Sequence, residues 1–412
     1  MSFVKIPVKG MRDIMPLEME LREYIISLIS ETYASFGFRR IETPCVENIE
    51  NITSNQGGEN EKLIFKILKR GEKFKLEEAR SAEDLVDCGL RYDLTVPLSR
   101  YYANNMNELD KPFKALQIGN VWRADRPQKG RFRQFVQCDI DILGEKSNLS
   151  EIELIIATTT FLKKVNLSDF KVRINDRRIL KALALSAGFK EDECDNVFIS
   201  LDKMDKIGLD GVKSDLLSYN YDSNVVDKYL NYFKSINNSA NDFCLNNDIE
   251  IDNKVLTDLD DIIEVVKNIN NINIEFDPTL VRGMSYYTGP IFEISVNGYS
   301  GSIAGGGRYD NMIGNYISMP VPACGFSIGF ERLIDILMEN NYKIPKNIEK
   351  YAILLDKDSS IEEVKESFNE ANKMRSEGKI VNILRKSKNY KFQKETLENE
   401  GYKLIDKVLK ED

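Results

Sequence analysis

Histidine is absent from the 412 residues of this chain. Its absence excludes a histidine general base, a Ser-His-Asp triad, a Cys-His pair and a histidine-ligated metal ion. Any catalysis must therefore depend on arginine, lysine, aspartate, glutamate, tyrosine or backbone groups. Such groups suit the stabilisation of charge on phosphate better than the shuttling of protons.

Cysteines are few and scattered, and long apolar runs are absent. The six cysteines contain no C-x-x-C pair, which indicates reduced thiols and no zinc cage: Cys45, Cys88, Cys138, Cys194, Cys244 and Cys324. No apolar run approaches the roughly 18–20 residues of a membrane span, and residues 1–16 do not resemble a signal peptide. We therefore expect a cytoplasmic protein with no membrane partner and no zinc site.

The overall composition is that of a soluble globular protein. Apolar residues make up 42% and charged residues 30% of the chain, and its length suggests two or three domains. The 57 basic and 66 acidic residues give a net charge of −9. Any contact with nucleic acid must therefore come from a local basic patch.

The first third of the chain contains clear helix and strand patterns. Apolar residues recur at helical spacing in residues 18–36 and 151–165, while residues 38–44 are extended in character. Residues 59–76 are rich in lysine and apolar residues, which predicts strands or a hairpin. Residues 113–144 form two apolar arms around the sequence RPQKGR, which predicts an antiparallel strand pair with a long loop.

Composition shifts later in the chain predict further domains. From about residue 175 to 270, Asn, Asp, Lys and Leu dominate with helix-like stretches, which indicates an inserted helical region. The tail begins with a strand, helix and strand, followed by a basic helical stretch, which is a small βαβ-like unit. We expect a core of residues 1–170 and 271–340, an insertion of residues 171–270 and a small α/β domain of residues 346–412.

A concentration of basic residues marks the loop of the predicted strand pair. Five lie within eleven residues: Arg123, Arg126, Lys129, Arg131 and Arg133. A generic loop of this kind is more often simply solvated. Here Arg123 follows Val121 and Trp122, where an unpaired cation is costly to bury. Arg131 and Arg133 flank one residue and share a face if the segment is an extended strand, an arrangement that suits a bidentate grip on phosphate.

An acidic cluster follows on the second arm of the pair. Gln137, Asp139 and Asp141 are spaced by two residues, so a strand points all three to one face, and Asp93 is a candidate fourth member. An ordinary polar strand edge explains this pattern equally well. The functional interpretation is a pocket that holds a cationic amine beside a phosphate site, as the joining of an amino acid to ATP requires.

Two glycine-containing segments complete the set. AGGGRYD, residues 304–310, allows close approach of backbone to a ligand, yet it is neither a Walker loop nor a dinucleotide fingerprint. GFSIGFERL, residues 325–333, reads as a strand that turns directly into a helix, with Arg332 near the helix start. Each segment alone is a weak signal.

Together these segments resemble the class II aminoacyl-tRNA synthetases, in the form seen in histidyl-tRNA synthetases. The arginine-rich hairpin is similar to motif 2, and GFSIGFERL is similar to motif 3. VRGMSYYTG and SIAGGGRYD resemble the two histidine-specific signatures, and further matches are KGMRDIMP, IETPCVE at the motif 1 position, NDRRIL and SLDKMDKIG. The resemblance covers about residues 5–340 and is specific, because motif 2 and both signatures coincide.

The resemblance implies an α+β fold with an antiparallel β-sheet core flanked by helices, a helical insertion and a small C-terminal domain similar to an anticodon-binding domain. It further implies a homodimer built on motif 1. The implied ligands are histidine, ATP and tRNA(His), with Mg²⁺ bridging the phosphates and held partly by Glu331.

The resemblance also implies roles for individual residues. For ATP these are Arg123 at the α-phosphate and the histidine carboxylate, Asp125 near the adenine, Arg131 and Arg332 at the γ-phosphate, and Arg282 at the α-phosphate during attack. Arg282 and Arg123 are thus the expected catalytic residues. The expected histidine-binding set contains Asp93, Thr95 and Gln137 at the α-amino group, Asp141 and Tyr287 at the imidazole, and Tyr286 and Arg282.

Two departures from the family pattern leave other functions open. Ser285 stands where the first signature usually has aspartate, and the tail resembles only part of the family's anticodon-binding domain. One alternative is a paralogue that passes an aminoacyl adenylate to an acceptor other than tRNA. Another is a histidine-sensing regulatory subunit of ATP phosphoribosyltransferase, although the presence of all four phosphate-binding arginines favours the use of ATP.

Overall fold

The computed structural model describes residues 3–53, 61–127, 130–234, 239–269, 271–282, 286–299, 301–345 and 348–406. The chain divides into two compact units, Met1–Asn341 and Tyr342–Asp412. The first unit contains an eight-stranded sheet with helices around it, which confirms the predicted α+β class. In the part of the chain described here, no helix is long and apolar enough to cross a bilayer.

The first unit has eleven strands in the described residues. They are β1 (Arg39–Arg40), β2 (Val46–Asn48), β3 (Lys66–Leu68), β4 (Val86–Leu90), β5 (Phe113–Trp122), β6 (Gln134–Leu143), β7 (Phe170–Asp176), β8 (Ile274–Phe276), β9 (Pro290–Val296), β10 (Ser302–Arg308) and β11 (Ala323–Gly329). The main sheet has the order β1-β5-β6-β11-β10-β9-β7-β8, and β2, β4 and β3 form a second small sheet.

The main sheet is mixed, whereas the family resemblance implies an antiparallel sheet. Its six central strands are antiparallel, but each edge adds a parallel pair, β1 with β5 and β7 with β8. Both edge strands are only two or three residues long, too short for the alternation that identifies a strand in a sequence. The predicted pair in residues 113–144 is confirmed, since β5 and β6 pair along all ten residues of each.

The helices of the first unit supply the other side of the core. They are α1 (Pro16–Ser35), α2 (Ile49–Thr53), α3 (Thr95–Asn105), α4 (Leu149–Lys164), α5 (Arg177–Ala187), α6 (Cys194–Leu201), α7 (Met204–Ser218), α8 (Ser223–Asn231), α9 (Ala240–Asn246), α10 (Asn253–Asn268), α11 (Gly314–Ile317) and α12 (Phe330–Glu339). Helix α1 starts at a proline and buries Ile25 and Ile29, and its Tyr33 hydroxyl lies 3.2 Å from the Thr158 hydroxyl of α4. This pair of helices corresponds to the predicted segments 18–36 and 151–165.

Within the described residues, six α-helices, α5 to α10, lie between β7 and β8 in the chain. Several have the amphipathic pattern of helices that pack against one another, and Leu183, Val226 and Leu259 are fully buried. The strands at both ends of this helical segment pair with each other in the main sheet. The division of the first unit into a core and an insertion of residues 171–270 stays a prediction, and its first six residues form most of β7.

The second unit is a small parallel α/β sheet. It contains β12 (Lys350–Leu355), α13 (Ile361–Ser376), β13 (Ile380–Arg385), α14 (Tyr390–Asn399) and β14 (Tyr402–Asp406), with the strand order β13-β12-β14. The βαβ pattern at its start is as predicted. The sequence analysis does not predict the last strand, because five residues that include a lysine do not stand out from a basic helical stretch.

Candidate active site

A row of residues runs across six strands of the main sheet and forms the floor of the site. Strand register pairs each member with the next in the order Arg173, Glu293, Gly305, Ser327, Asp139 and Gln117. Directly paired residues project from the same face of a sheet. The face therefore carries the charged pair of Arg173 and Glu293 at one end and the polar groups of Asp139 and Gln117 at the other. Gly305 lies between them. A cavity of about 760 Å³ lies over this face.

Glycines in the centre of the sheet make room for the side chains around them. A Cβ at Gly305 would lie 2.3 Å from the guanidinium carbon of Arg282, and one at Gly325 would lie 2.0 Å from Asp141 Oδ1. A Cβ at Gly306 would lie 2.0 Å from the carbonyl oxygen of Gly325 on the neighbouring strand. The glycines thus accommodate the two functional side chains and the close approach of β10 to β11.

Arg123 follows β5 and is fixed against aromatic rings. Its Nε donates to the Tyr92 carbonyl at 3.1 Å, and its guanidinium lies 4.3 Å from the Tyr92 ring centre and 5.2 Å from that of Phe135. These contacts orient the cation over the cavity, and attraction to the aromatic rings offsets part of the cost of its partial burial.

Three more arginines face the same cavity. Arg332, in the first turn of α12, donates from Nη1 to the Ser302 carbonyl at 2.5 Å, and Arg131 lies 3.4 Å from Asp125. Burial lowers the pKa of Arg332, and the positive charges of Arg131 and Arg282 lower it further. Like charges held together in this way favour an anion between them.

Arg282 is held by Glu293, which lies next to Gly305 in the row. Its Nη1 lies 3.0 Å from Glu293 Oε2. Burial by itself lowers the pKa of Arg282, but Tyr287 and Glu293 outweigh that effect and leave the pKa raised. The guanidinium is therefore a permanent cation over the flat surface of Gly305.

The opposite end of the cavity is acidic and buried. Asp93, Asp139 and Asp141 are all buried, and one oxygen each of Asp139 and Asp141 has no hydrogen-bond partner. Burial raises the pKa of Asp139 well above its usual range, and the neighbouring charge of Asp141 raises it further. Burial also raises the pKa of Asp141 to about 7, against the opposing effect of the Tyr309 hydroxyl, which donates to Oδ1 at 2.6 Å. A cationic ligand would satisfy these oxygens.

Polar and aromatic side chains line the rest of the acidic end. Gln137 Nε2 donates to the Ser327 hydroxyl at 3.2 Å, while its buried Oε1 has no partner. Tyr286 and Tyr287 lie with ring centres 5.0 Å apart, and Tyr286 is hydrogen-bonded to Thr95. Burial raises the pKa of Tyr287 to about 12, so its hydroxyl is a neutral hydrogen-bond donor.

Glu331 lines the cavity, but its carboxylate is bound by two arginines that do not line it. Its two carboxylate oxygens each lie 2.7 Å from an Arg22 nitrogen, Arg12 adds a contact of 3.3 Å, and the Val136 amide donates to it at 3.2 Å. Burial alone raises the pKa of Glu331, but the two arginines and the amide lower it overall. Its expected role as a Mg²⁺ ligand does not fit this geometry.

The structure brings together every residue to which the family resemblance assigns a role. All line one cavity: Asp93, Thr95, Arg123, Asp125, Arg131, Gln137, Asp141, Arg282, Tyr286, Tyr287, Glu331 and Arg332. Their individual roles stay predictions. Lys129 and Ser285 lie outside the described residues.

One prediction about the loop is wrong. Arg131 and Arg133 do not share a face, because β6 begins only at Gln134 and Arg133 lies in a bend before it. Arg131 lines the cavity, whereas the Arg133 amide donates to the Gly10 carbonyl at 2.8 Å and its Nε donates to the Asp125 carbonyl at 3.0 Å. Arg133 thus fastens the loop to the N-terminal segment.

Tyr309 and Glu293 are site residues that the sequence analysis does not identify. Tyr309 lies within the glycine-rich segment AGGGRYD, and Glu293 lies in an apolar strand. A single charged residue in an otherwise apolar strand was the available signal for Glu293, since such a residue needs a partner when buried.

We predict that alanine at two adjacent glycines has different effects on stability. Gly306→Ala places its Cβ against the backbone of β11, so we expect a loss of about 3 kcal/mol in the free energy of unfolding. Gly305→Ala meets only the end of the Arg282 side chain, which can move, so we expect a smaller loss. Urea denaturation of both variants measures the difference, and equal stability of the two would contradict this account of strand spacing.

Comparisons with known proteins agree with this geometry. The family model described as histidyl-tRNA synthetase matches residues 10–333. The histidine–tRNA ligase of Leifsonia xyli subsp. xyli (strain CTCB07) is 44% identical over 345 residues, covering 80% of each chain. The probable histidine–tRNA ligase of Tropheryma whipplei (strain Twist) is 42% identical over 359 residues, covering 83% of each.

Solved structures show the same fold. The histidyl-tRNA synthetase from Nostoc sp. PCC 7120 has a TM-score of 0.77 and 27% identity, covering 98% of this chain and 92% of that one. A Bacillus halodurans protein titled as an ATP phosphoribosyltransferase regulatory subunit/histidyl-tRNA synthetase has the same TM-score at 23% identity, covering 98% and 99%, and at that identity indicates the fold alone. From the family model, the identities and the cavity of opposite charges together, we conclude that the chain belongs to the histidyl-tRNA synthetase family.

Proposed function

We propose that the chain joins histidine to ATP, forming histidyl-adenylate and pyrophosphate, and then transfers the histidyl group to tRNA(His). The proposal depends on one observation, the two ends of opposite charge in a single cavity. Joining an amino acid to a nucleoside triphosphate requires an ammonium site next to a phosphate site. Membership of the histidyl-tRNA synthetase family supports the same function.

The chemistry suits a chain without histidine. A carboxylate oxygen of the substrate bonds to the α-phosphorus of ATP, and the bond from that phosphorus to the pyrophosphate oxygen breaks. The attacking carboxylate is already ionised, so the step needs no protein base. Fixed guanidinium groups stabilise the charge that develops on the phosphoryl oxygens. We assign Arg282 and Arg123 to this role, and Arg123 also to the substrate carboxylate.

The remaining ATP contacts follow from the same cavity. We assign Arg131 and Arg332 to the γ-phosphate and Asp125 to the neighbourhood of the adenine. Among the described residues, no group of three acidic or cysteine side chains is placed to hold a metal ion, and both Glu331 oxygens face Arg22. We therefore assign no Mg²⁺ site to the protein, and any Mg²⁺ would enter on the phosphates of ATP.

Histidine would occupy the acidic end. We assign Asp93, Thr95 and Gln137 to the α-amino group, where the unpartnered Gln137 Oε1 is available to accept a hydrogen bond. Asp141 and Tyr287 would contact the two imidazole nitrogens, with Tyr286 packed beside them. A carboxylate and a phenol that each need a partner discriminate against side chains without ring nitrogens, because their polar groups would then stay unsatisfied.

The acceptor and the domain roles belong to the same proposal. We propose residues 1–170 and 271–340 as the catalytic core, residues 171–270 as a helical insertion, and residues 346–412 as the domain similar to anticodon-binding domains. The parallel sheet of the second unit supports the last assignment in fold only. All six cysteines are free, which supports placement in the reducing cytoplasm.

Amino-acid-dependent exchange between ATP and pyrophosphate tests the activation step. We expect exchange with histidine and not with the other standard amino acids, followed by charging when tRNA(His) is added. Arg282→Gln should lower the exchange rate at least about 10²-fold, because it removes a charge that stabilises the transition state. Arg126→Gln is the matched control, since this exposed loop arginine is not among the residues lining the cavity.

Each outcome of the exchange assay separates the candidate functions. Exchange without tRNA charging would favour an acceptor other than tRNA. Histidine binding without exchange for any amino acid would contradict activation and favour a histidine-sensing regulator.

Histidine binding should strengthen as the pH rises from 6 to 8. Burial raises the pKa of Asp141 to about 7, so below that pH the carboxyl is protonated and loses the negative charge that favours an imidazole N–H donor. Calorimetric titration of histidine at several pH values measures the effect. Because the imidazole of the ligand also titrates, the informative quantity is the difference between wild type and Asp141→Asn. A difference that stays constant across this pH range would contradict the assignment.

We also propose a homodimer in which the motif 1 region meets its copy. Val46 lies on this segment and is 45% exposed, and the apolar N-terminal residues Phe3, Val4 and Ile6 are also exposed. Exposed apolar residues at neighbouring positions of one segment, as at Phe3, Val4 and Ile6, suit a contact with a second copy.

Sedimentation velocity tests the dimer. We expect wild type to sediment as a dimer and Val46→Glu to shift it towards monomer, because the change places a charge in the apolar contact. Leu245→Glu is the control, since Leu245 is 66% exposed on α9, which the proposed interface does not include. A monomeric wild-type protein would contradict the proposal.

A further inference from the structure

Three charged residues, linked by hydrogen bonds, lead from the edge of the main sheet to the cavity. Arg173 on β7 is paired in register with Glu293 on β9. Glu293 Oε1 lies 3.1 Å from Arg173 Nη1, and its Oε2 lies 3.0 Å from Arg282 Nη1. One carboxylate therefore bridges two guanidinium groups, of which only Arg282 belongs to the expected catalytic set.

The bridge is largely shielded from solvent. The exposed fractions of the side chains are 16% for Arg173, 12% for Glu293 and 25% for Arg282. Charge-assisted hydrogen bonds in such surroundings are stronger and better oriented than pairs on an open surface. Removing the carboxylate would leave two partly buried cations near each other without their shared counter-ion.

Two arginines repel Arg282, and the Asp202 carboxyl attracts it less strongly than Glu293 does. Arg332 and Arg131 face the same cavity, and Arg332 is electrostatically coupled to both Arg131 and Arg282. Gly305 supplies a flat floor but no attraction to hold the guanidinium there. Glu293 is the carboxylate that fixes Arg282 against this repulsion and over the floor of the cavity.

Glu293 is in turn oriented by a residue that is itself fixed. Arg173 Nε lies 2.5 Å from Asp277 Oδ2, and its Nη2 lies 3.5 Å from the Thr279 hydroxyl. Asp205 of α7 adds a contact of 2.9 Å to Arg173 Nη1, but its side chain is 67% exposed, so it contributes little. Glu293 is therefore oriented by Arg173 of β7, which is itself fixed by Asp277, the residue that follows β8.

We propose that Glu293 and Arg173 are positioning residues that hold Arg282 in place for attack on the α-phosphate. The inference rests on the proposed function, since it concerns the activation step. A guanidinium displaced by about 1 Å loses most of its effect on the transition state, at a cost of up to roughly 10²-fold in rate. Neither positioning residue touches the reacting atoms, so binding of the two substrates should change little.

Steady-state kinetics of histidine-dependent pyrophosphate exchange with Glu293→Gln provide the test. We expect kcat to fall about 10²-fold, with KM for ATP and for histidine within roughly 3-fold of wild type. Glu293→Asp keeps the charge on a shorter side chain and should recover part of the rate. Arg173→Gln leaves Glu293 bound to Arg282 alone, so we expect a smaller loss, of about 10-fold.

The matched control is Glu275→Gln. Glu275 pairs with Lys171, two residues before Arg173 on the same strand, so this variant also removes an ion pair at the sheet edge. Glu275 has no described contact with Glu293 or Arg282, and we expect wild-type kinetics. Melting temperatures of all variants show whether a rate loss follows loss of folded protein, and if Glu293→Gln does not fold, Arg173→Gln supplies the test.

The outcomes separate the two proposals. Lower kcat with unchanged KM values in folded Glu293→Gln, or in folded Arg173→Gln, supports positioning. An unchanged kcat, or a loss equal to that of Glu275→Gln, would overturn it while leaving the proposed function intact. A wild-type protein without histidine-dependent exchange would contradict the proposed function itself.

Discussion

The site depends on the close approach of β10 and β11 at the centre of the main sheet. Gly306 of β10 lies against the backbone of Gly325 and Phe326 there, at a spacing that excludes a Cβ on Gly306. Glycine in a strand costs conformational entropy and contributes no packing. In return, side chains from neighbouring segments occupy the vacated positions, Asp141 beside Gly325 and Arg282 over Gly305. The cavity therefore exists because glycines at these positions of the central strands carry no side chain.

The two ends of the cavity place opposite demands on a ligand. Asp139 and Asp141 carry buried oxygens without partners, and burial raises the pKa values of both carboxyls. At the other end, burial lowers the pKa of Arg332, and the positive charges of Arg131 and Arg282 lower it further. A molecule with an ammonium group at one end and phosphates at the other relieves both conditions at once. Because the chain contains no histidine, the only imidazole such a site meets is that of a ligand.

The sequence predicted the members of the site better than their geometry. Gln137, Asp139 and Asp141, spaced by two on β6, lie on one face as predicted, because the strand is long and regular. The same reasoning failed for Arg133, since the period of two applies only inside a strand and β6 starts one residue later. The partners of Glu331 were also beyond prediction, because Arg22 lies 309 residues away in the chain.

The charged residues around the cavity fall into two groups with different tasks. Arg12 and Arg22 bind Glu331 and so join the N-terminal segment and α1 to α12, while Arg173 binds Asp277 at the sheet edge, so these charges serve structural contacts. Arg123, Arg131 and Arg332 instead face the cavity, where their charge is available to phosphate. Arg282 belongs to both groups, since one of its nitrogens is bound to Glu293 while its guanidinium lines the cavity. Arg282 must be held in place and must also keep its positive charge available to phosphate. A counter-ion shared with a second cation meets both conditions. Glu293 is such a counter-ion, because Arg173 also binds its carboxylate.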